Sequence, residues 1–140
     1  MFTIDRESEF GQRVLRRLER EEIIWLTTCR PEGTPQPSPV WFHWDGEALL
    51  IYSQPDRPKL RNIAANPRVA LNFNATPTGG DVVVLAGTAA VPADRQPATS
   101  VPAYIEKYRS GLAGLGMEPE AFAAKYSVPV RVTPTHLRGF

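Results

Sequence analysis

YSQPDRPK, at residues 52–59, follows a strand-like run, ALLIY at residues 48–52, and leads into a short helical pattern that ends near Ala65. It places a hydroxyl, Ser53, at a strand end and two cations, Arg57 and Lys59, where a helix begins. The first N–H groups of a helix lack intrahelical partners and carry partial positive charge. Cations beside them would hold a phosphate group by charge-assisted hydrogen bonds. The stretch therefore predicts a small β domain that binds a phosphorylated ligand through Ser53, Arg57 and Lys59.

Length and composition predict one domain over residues 1–140. The chain is 42% hydrophobic and 22% charged, which is typical of a globular domain with its own core. Its formal net charge of +1 gives no bulk electrostatic reason for nucleic-acid binding. No apolar run reaches the ~20 residues that cross a bilayer, and Met1–Arg20 lacks the apolar centre of a signal peptide. With a single cysteine, Cys29, no intrachain disulfide is possible. We therefore expect a cytoplasmic protein without membrane insertion.

Turn signals divide most of the chain into short strands. We expect strands at Ile23–Cys29, Pro35–His43, Ala48–Ser53, Val69–Asn74, Asp81–Val91 and Val128–Val132, and helices at Ser8–Glu19, Lys59–Ala65, Val101–Leu115 and Pro119–Tyr126. Asp45-Gly46 is typical of a type I′ turn and closes a hairpin. These elements predict a mainly β, α+β fold, an antiparallel barrel of six strands with flanking helices.

The common catalytic and metal-binding motifs are missing from the sequence. It contains no G-x-S-x-G, H-E-x-x-H, G-x-x-x-x-G-K-[ST] or G-x-G-x-x-G pattern. His43 and His136 lie far apart, and with Cys29 they are too few to predict a metal site. The sequence therefore assigns no catalytic side chain, and the reaction has to depend on how ligands are bound.

A second stretch, Ser38-Pro39-Val40-Trp41-Phe42, fits a site for a flat ligand. Its residues alternate in direction along a predicted strand, so the backbone has N–H and C=O groups for the polar edge of a ring. Trp41 would then lie against the ring. The alternative, that Trp41 and Phe42 fill the core, is equally consistent with either side chain alone.

At these residues the chain resembles the pyridoxamine 5′-phosphate oxidase-like superfamily of split β-barrel flavoproteins. It is most similar to the actinobacterial branch that binds the deazaflavin coenzyme F-420. The likeness covers nearly the whole chain and rests on WLTT at 25–28, GTPQPSPVWF at 33–42, LIYS at 50–53, KLRNI at 59–63, NPRVAL at 66–71 and RVTPTHLRGF at 131–140. The order strand, serine, loop, lysine, helix and Asn-Pro is its most specific part.

The resemblance implies a Greek-key split barrel and a homodimer with two cofactor sites at its interface. It implies that the cofactor phosphate is held at Ser53, Arg57 and Lys59, and that the ring system lies along Ser38–Phe42 with a contribution from Tyr52. The cofactor-binding residues expected on this basis are Ser38, Pro39, Val40, Trp41, Tyr52, Ser53, Arg57 and Lys59. The chain departs from the flavin-binding oxidases at Pro58, which separates Arg57 from Lys59 where those enzymes carry adjacent Arg-Lys, and it lacks their C-terminal pattern for pyridoxal phosphate. A vitamin B6 oxidase is therefore disfavoured.

The expected function is hydride transfer from reduced coenzyme F-420 to a small electron-poor acceptor of the quinone or enone type. Two alternatives stay open: an FMN-binding reductase, and a non-catalytic carrier of F-420, FMN or haem. Because F-420 also carries a polyglutamate tail, Arg13, Arg16, Arg17 and Arg20 are candidate partners for its carboxylates. Water, Tyr52 and Tyr126 are candidate sources of a proton.

Overall fold

Seven strands form a single curled antiparallel sheet in the computed structural model, which describes residues 1–140. The strands are β1 (Ile24–Cys29), β2 (Pro35–Val40), β3 (His43–Trp44), β4 (Leu49–Ser53), β5 (Arg68–Asn72), β6 (Val83–Ala90) and β7 (Val128–Gly139), in the order β2-β1-β5-β6-β7-β4-β3. Within that order, β4-β7-β6-β5 places the first of four strands beside the last, as in a Greek key. The mainly β, α+β class predicted from the sequence is confirmed.

Five α-helices accompany the sheet. They are α1 (Glu9–Arg20), α2 (Pro58–Ala65), α3 (Pro102–Lys107), α4 (Arg109–Gly114) and α5 (Pro119–Lys125), and a single 3-10 turn spans Ala98–Ser100. Ser8 caps α1, because its hydroxyl accepts a hydrogen bond from the N–H of Gly11 at 2.9 Å. The helix predicted over Val101–Leu115 is interrupted at Tyr108, whose backbone leaves the helical region. No helix combines the length and the apolar character needed to cross a membrane.

The prediction of six strands was wrong, because the strand expected over Pro35–His43 divides into β2 and β3. Between them, at Trp41 and Phe42, the chain leaves the sheet. The N–H of Phe42 donates to the hydroxyl of Tyr108 at 2.8 Å, and its carbonyl accepts from the ammonium of Lys107 at 2.9 Å. Side chains from a distant part of the chain therefore satisfy backbone groups that a continuous strand would have paired with a neighbouring strand. This part, residues 98–125 with the 3-10 turn and α3 to α5, is called the helical segment below.

The last strand is longer than predicted, since β7 continues from Val132 to Gly139 through Pro134. Gly87 pairs with Pro134 and Ala86 with His136, so Thr135 is an extra residue in a β-bulge. Proline is tolerated at bulges because no ladder N–H is required there. A Cβ on Gly87 would lie 2.4 Å from the carbonyl oxygen of Thr133, so only glycine allows this close approach.

The predicted type I′ turn at Asp45-Gly46 is also wrong. Gly46 has φ +95°, but Asp45 is not among the residues with positive φ, which that turn requires at both central positions. Instead the carboxylate of Asp45 accepts hydrogen bonds from the N–H groups of Glu47 and Ala48, at 2.9 and 2.8 Å. The side chain therefore shapes this loop.

Two hydrophobic clusters stabilise the fold. The larger has 17 buried residues, lies against the sheet and includes Phe42, which is fully buried. The smaller joins β4 to the helical segment and contains Tyr52, Ala98, Tyr104, Tyr108, Leu112, Phe122 and Ala123. Trp41 packs on the smaller cluster. Both aromatic rings at residues 41 and 42 are thus packed within one chain.

The buried tyrosines of the smaller cluster predict a loss of stability in alkali. Burial raises the pKa of Tyr104 and of Tyr108 above the ordinary value of 10.0. Above pH 10 the unfolded chain releases these protons and the folded chain keeps them, so stability falls by about 1.4 kcal/mol per pH unit for each tyrosine. Burial also lowers the pKa of Lys107 to about 8 from 10.5, which acts in the opposite direction between those two values. The steepest fall is therefore expected above about pH 10.5.

Urea unfolding followed by circular dichroism between pH 8 and pH 11.5 measures this dependence. Tyr104→Phe should make the alkaline fall shallower, because it removes one of the contributing groups. An identical pH profile for the wild type and this variant would contradict the assignment of the effect to Tyr104.

Candidate functional site

A cavity of about 250 Å³ lies between the end of β4, the start of α2 and the helical segment. Seven of the eight residues predicted to bind a cofactor line it, namely Pro39, Val40, Trp41, Tyr52, Ser53, Arg57 and Lys59; Ser38 does not. The other lining residues are Ile23, Gln54, Tyr104, Leu115, Phe122 and Tyr126. One side of the cavity carries the cations and the other is aromatic.

The cationic side follows from the local structure predicted by the sequence. Ser53 ends β4, and Pro58 occupies the first turn of α2, where a missing N–H has no consequence. Arg57 is the N-cap residue of that helix, and no side chain caps the helix. In the connecting loop Asp56 has φ +62°, a conformation that aspartate tolerates better than most residues. The loop therefore brings Arg57 and Lys59 beside Ser53 in one cavity.

Neither Arg57 nor Lys59 forms a salt bridge. Five other arginines, at positions 13, 17, 30, 109 and 131, each pair with a carboxylate. Arg57 donates one hydrogen bond, to the side-chain oxygen of Gln54 at 2.8 Å, which leaves its other N–H groups free. The Ser53 hydroxyl, only 2% exposed, donates to the Gln54 carbonyl at 2.8 Å. The cavity thus has two cations whose charge no protein group neutralises.

The electrostatics of Lys59 are consistent with an anion site. Burial, and secondarily the positive charge of Arg57, lower the pKa of the Lys59 ammonium below its ordinary value of 10.5. Both causes disfavour the charged form in the protein alone. An anion bound between the two side chains would offset both, since it supplies the missing countercharge.

The aromatic side is built around Trp41. Its ring stacks on Tyr108, with centroids 4.3 Å apart and an interplanar angle of 5°, and on Phe122 at 5.6 Å. Trp41 therefore packs on the smaller cluster and also lines the cavity, and its contact with a ligand ring stays a prediction. Tyr52 lies nearby and donates its hydroxyl proton to the Gln96 carbonyl at 2.9 Å.

Strand β2 contributes less backbone hydrogen bonding to the cavity than the sequence suggested. Pro39 lines the cavity but has no N–H, so its backbone has only a carbonyl for a ligand. Ser38, one residue earlier, is opposite Leu26 of β1 and lies outside the cavity. A ligand edge at Pro39 would have to donate a hydrogen bond.

Tyr104 and Phe122 are cavity residues that the sequence reasoning missed. Both belong to helices far along the chain, which the sequence predicts without assigning either residue to a ligand site. The hydroxyl of Tyr104 is the one buried side-chain polar atom without a hydrogen-bond partner. A pattern of aromatic residues at helical spacing carries no signal that distinguishes a cavity wall from a core.

The arginines of α1 do not reach this cavity. Arg13 and Arg17 both pair with Asp81, and Arg17 also donates to the carbonyl of Asn74 at 2.8 Å. None of Arg13, Arg16, Arg17 and Arg20 lines the cavity. The structure therefore does not bring these side chains to Ser53, Arg57 and Lys59, because the carboxylate of Asp81 binds two of them at the other end of the sheet.

The histidines lie outside the cavity as well. His43 is half-buried in β3, where burial lowers its pKa, while His136 is exposed in β7 and lies 3.0 Å from the hydroxyl of Thr135. No group of three or more His, Cys, Asp and Glu side chains is arranged to hold a metal ion.

Comparison with known proteins places this geometry in a family. The sequence pattern of the pyridoxamine 5′-phosphate oxidase family matches residues 10–138, almost the whole chain. The chain belongs to the pyridoxamine 5′-phosphate oxidase family. The split-barrel resemblance is thereby confirmed at the level of the superfamily.

Solved structures of the same fold include proteins with different cofactors. An F-420 reductase is 32% identical, with a TM-score of 0.70 over 88% of this chain and 94% of its own. An FAD-binding protein from Mesorhizobium loti is 19% identical, with a TM-score of 0.61 over 91% and 89% of the two chains. The heme storage protein HutZ from Vibrio cholerae is 14% identical, with a TM-score of 0.63 over 90% and 92%. The last two share only the fold with this member of the pyridoxamine 5′-phosphate oxidase family.

Proposed function

We propose that this member of the family is an oxidoreductase that uses coenzyme F-420 and reduces a small electron-poor acceptor of the quinone or enone type. When bound, reduced F-420 supplies a hydride. The observation that carries the proposal is the pair of cations without a carboxylate partner, Arg57 and Lys59, beside Ser53 in a cavity whose remaining lining is mostly aromatic and aliphatic. The 32% identity to an F-420 reductase favours the deazaflavin over FMN.

In this proposal the side chains of the cavity bind and orient the cofactor. Arg57 and Lys59 would hold the cofactor phosphate, with Ser53 as a further hydrogen-bonding group. Pro39 would accept a hydrogen bond through its carbonyl, and the neighbouring Trp41 contributes an aromatic surface. With the ring bound, the apolar and aromatic lining would limit the access of water to it. Hydride transfer needs donor and acceptor placed in contact, and such positioning accounts for a large part of the rate without an acid–base pair.

The source of a proton stays open among water, Tyr52 and Tyr126. Both tyrosines line the cavity. The Tyr52 hydroxyl already donates to the Gln96 carbonyl, and burial raises its pKa above 10.0. Tyr52 would therefore have to break that hydrogen bond before it could act.

FMN is the second candidate, since it presents a phosphate to the same cations. A carrier function for F-420, FMN or haem is the third. Histidine is a common axial ligand of haem iron. Both histidines of the chain, His43 and His136, lie outside the cavity. This geometry favours a phosphorylated cofactor over haem in this cavity.

A turnover assay tests the proposal. Purified protein is mixed with reduced F-420 and a panel of quinones and enones, and reoxidation of the cofactor is followed by absorbance. We expect turnover with F-420 and little with reduced FMN. Turnover with FMN alone would establish the second candidate, and tight F-420 binding without turnover of any acceptor would establish a carrier.

His43→Ala and His136→Ala, assayed with a chelator present, are the matched controls. Both side chains are outside the cavity, so we expect each variant to retain activity. A requirement for a metal, or loss of activity with either histidine, would contradict the proposed mechanism.

We also propose that the protein is a cytoplasmic homodimer. In this dimer the partner subunit completes each site. The cavity of one chain, at about 250 Å³, is below the ~300–1,000 Å³ usual for ligand sites. Leu115, which lines it, is 62% exposed, unusually high for a large apolar side chain. We expect light scattering at micromolar concentration to give twice the chain mass, and an interface above about 1,000 Å². A monomer under these conditions would contradict the composite site.

A further inference from the structure

Among the buried side-chain polar atoms, only the hydroxyl of Tyr104 has no hydrogen-bond partner. Tyr104 is fully buried, its hydroxyl has no hydrogen-bond partner, and the residue lines the cavity. The other buried tyrosine of the helical segment, Tyr108, has its hydroxyl satisfied by Glu22 and Phe42. Buried polar groups without a partner are rare in folded proteins, and each one needs an explanation.

No protein group accepts a hydrogen bond from this hydroxyl. The rings of Tyr52, Tyr108 and Phe122 lie around Tyr104, with centroids 5.1, 5.1 and 6.0 Å from its own. The hydroxyl of Tyr52 is engaged with Gln96. Burial raises the pKa of Tyr104 far above 10.0, so its hydroxyl keeps its proton at physiological pH and remains a donor.

We propose that Tyr104 is a specificity-determining residue that donates a hydrogen bond to a carbonyl oxygen of a flat, conjugated ligand in the cavity. The proposal rests on the proposed function for the kind of ligand, and on the unpartnered hydroxyl for the residue. The carbonyl belongs either to the ring of the cofactor or to the acceptor substrate. In both cases a ligand with a carbonyl satisfies the hydroxyl, and a hydrocarbon of the same shape leaves it unsatisfied.

A pair of probes of similar shape separates the hydrogen bond from packing. Coumarin and naphthalene both have two fused six-membered rings, and only coumarin has a carbonyl. Isothermal titration calorimetry measures the binding of each to wild-type protein and to Tyr104→Phe. We expect the variant to bind coumarin about two- to tenfold more weakly, the effect of one neutral hydrogen bond, and to bind naphthalene unchanged. The same variants titrated with F-420 alone show whether the carbonyl of the cofactor is also a partner.

Tyr108→Phe is the matched control, because it removes a hydroxyl from the same cluster that the protein itself satisfies. It should retain the preference for coumarin over naphthalene. Thermal unfolding accompanies each titration, and Tyr104→Phe should unfold at the wild-type temperature or above, since its hydroxyl stabilises nothing within the protein.

The outcomes separate this inference from the proposed function. Weaker coumarin binding in Tyr104→Phe alone assigns the hydroxyl to the acceptor, and weaker F-420 binding alone assigns it to the cofactor. Unchanged binding of both, or an equal loss in Tyr108→Phe, overturns the inference while F-420 turnover stands. If wild-type protein fails to bind F-420, the proposed function fails, and the coumarin titration still decides the role of Tyr104.

Discussion

Replacing both Arg57 and Lys59 by alanine is expected to remove most of the affinity for a phosphorylated cofactor. Each single substitution should weaken binding by about 1–3 kcal/mol, which is about 5- to 150-fold, the range for charge-assisted hydrogen bonds. Neither cation has a carboxylate partner, so nothing in the protein competes for its charge. Fluorescence titration with F-420 and with FMN measures the effect, and circular dichroism verifies the fold.

The two substitutions should not be additive. The charge of Arg57 contributes to the lowered pKa of Lys59, so Arg57→Ala raises that pKa and strengthens the remaining cation at alkaline pH. In the wild type, affinity should be full at neutral pH and should fall as the pH is raised, because Lys59 loses its proton. This fall should begin at a pH below the ordinary lysine value of 10.5, since the pKa of Lys59 is lowered. In Arg57→Ala this decline should move to higher pH.

Arg68→Ala is the control for net charge. Arg68 is exposed at the start of β5 and does not line the cavity, so its removal should leave affinity within about twofold of wild type. Wild-type affinity in the double variant, with the fold intact, would show that the phosphate is held elsewhere.

The largest effect on stability is expected from Tyr108→Ala. The side chain of Tyr108 is 1% exposed, stacks on Trp41, and bonds to the backbone of Phe42 and Glu22 at 2.8 and 2.7 Å. Removing a buried aromatic ring costs about 3–5 kcal/mol, and the orphaned N–H of Phe42 adds to this. Urea unfolding monitored by tryptophan fluorescence measures the loss.

Two conservative variants divide that loss into its parts. Tyr108→Phe keeps the ring and should cost about 1–3 kcal/mol, the penalty of leaving buried backbone groups without a partner. Tyr104→Phe removes a hydroxyl that has no partner and should cost nothing. Equal losses in these two variants would mean that the hydroxyl of Tyr108 does not hold Phe42 in place.

Local sequence predicted the cationic half of the site because its parts are neighbours in the chain. The strand ends at Ser53, and a proline in the first turn of the next helix has one cation before it and one after it. These parts have few alternative arrangements. The amphipathic helix α1 and the sites of most strands were predicted for the same reason, since spacing along the chain sets which side of an element is buried. The boundaries differ by at most two residues, apart from the split of the second strand, the break in the third helix and the extension of the last strand.

Those three differences share a cause, because each depends on a contact between residues far apart in the chain. The hydroxyl of Tyr108 accepts a hydrogen bond from the N–H of Phe42, which is 66 positions away in the chain. No local pattern predicts that hydrogen bond. The extension of β7 required a glycine at position 87 opposite Pro134. In both cases a backbone group that local propensity left undecided was settled by a distant partner.

The sequence by itself determined the class of fold, the position of Ser53, Arg57 and Lys59, and the resemblance to a family of cofactor-binding split barrels. Only the tertiary structure decided what faces those cations. Helices far along the chain bring Tyr104 and Phe122 to the cavity, and Asp81 binds Arg13 and Arg17 away from it. The physical reason is that helix and strand patterns record which side of an element is buried, whereas the neighbour it is buried against is set by how the whole chain packs.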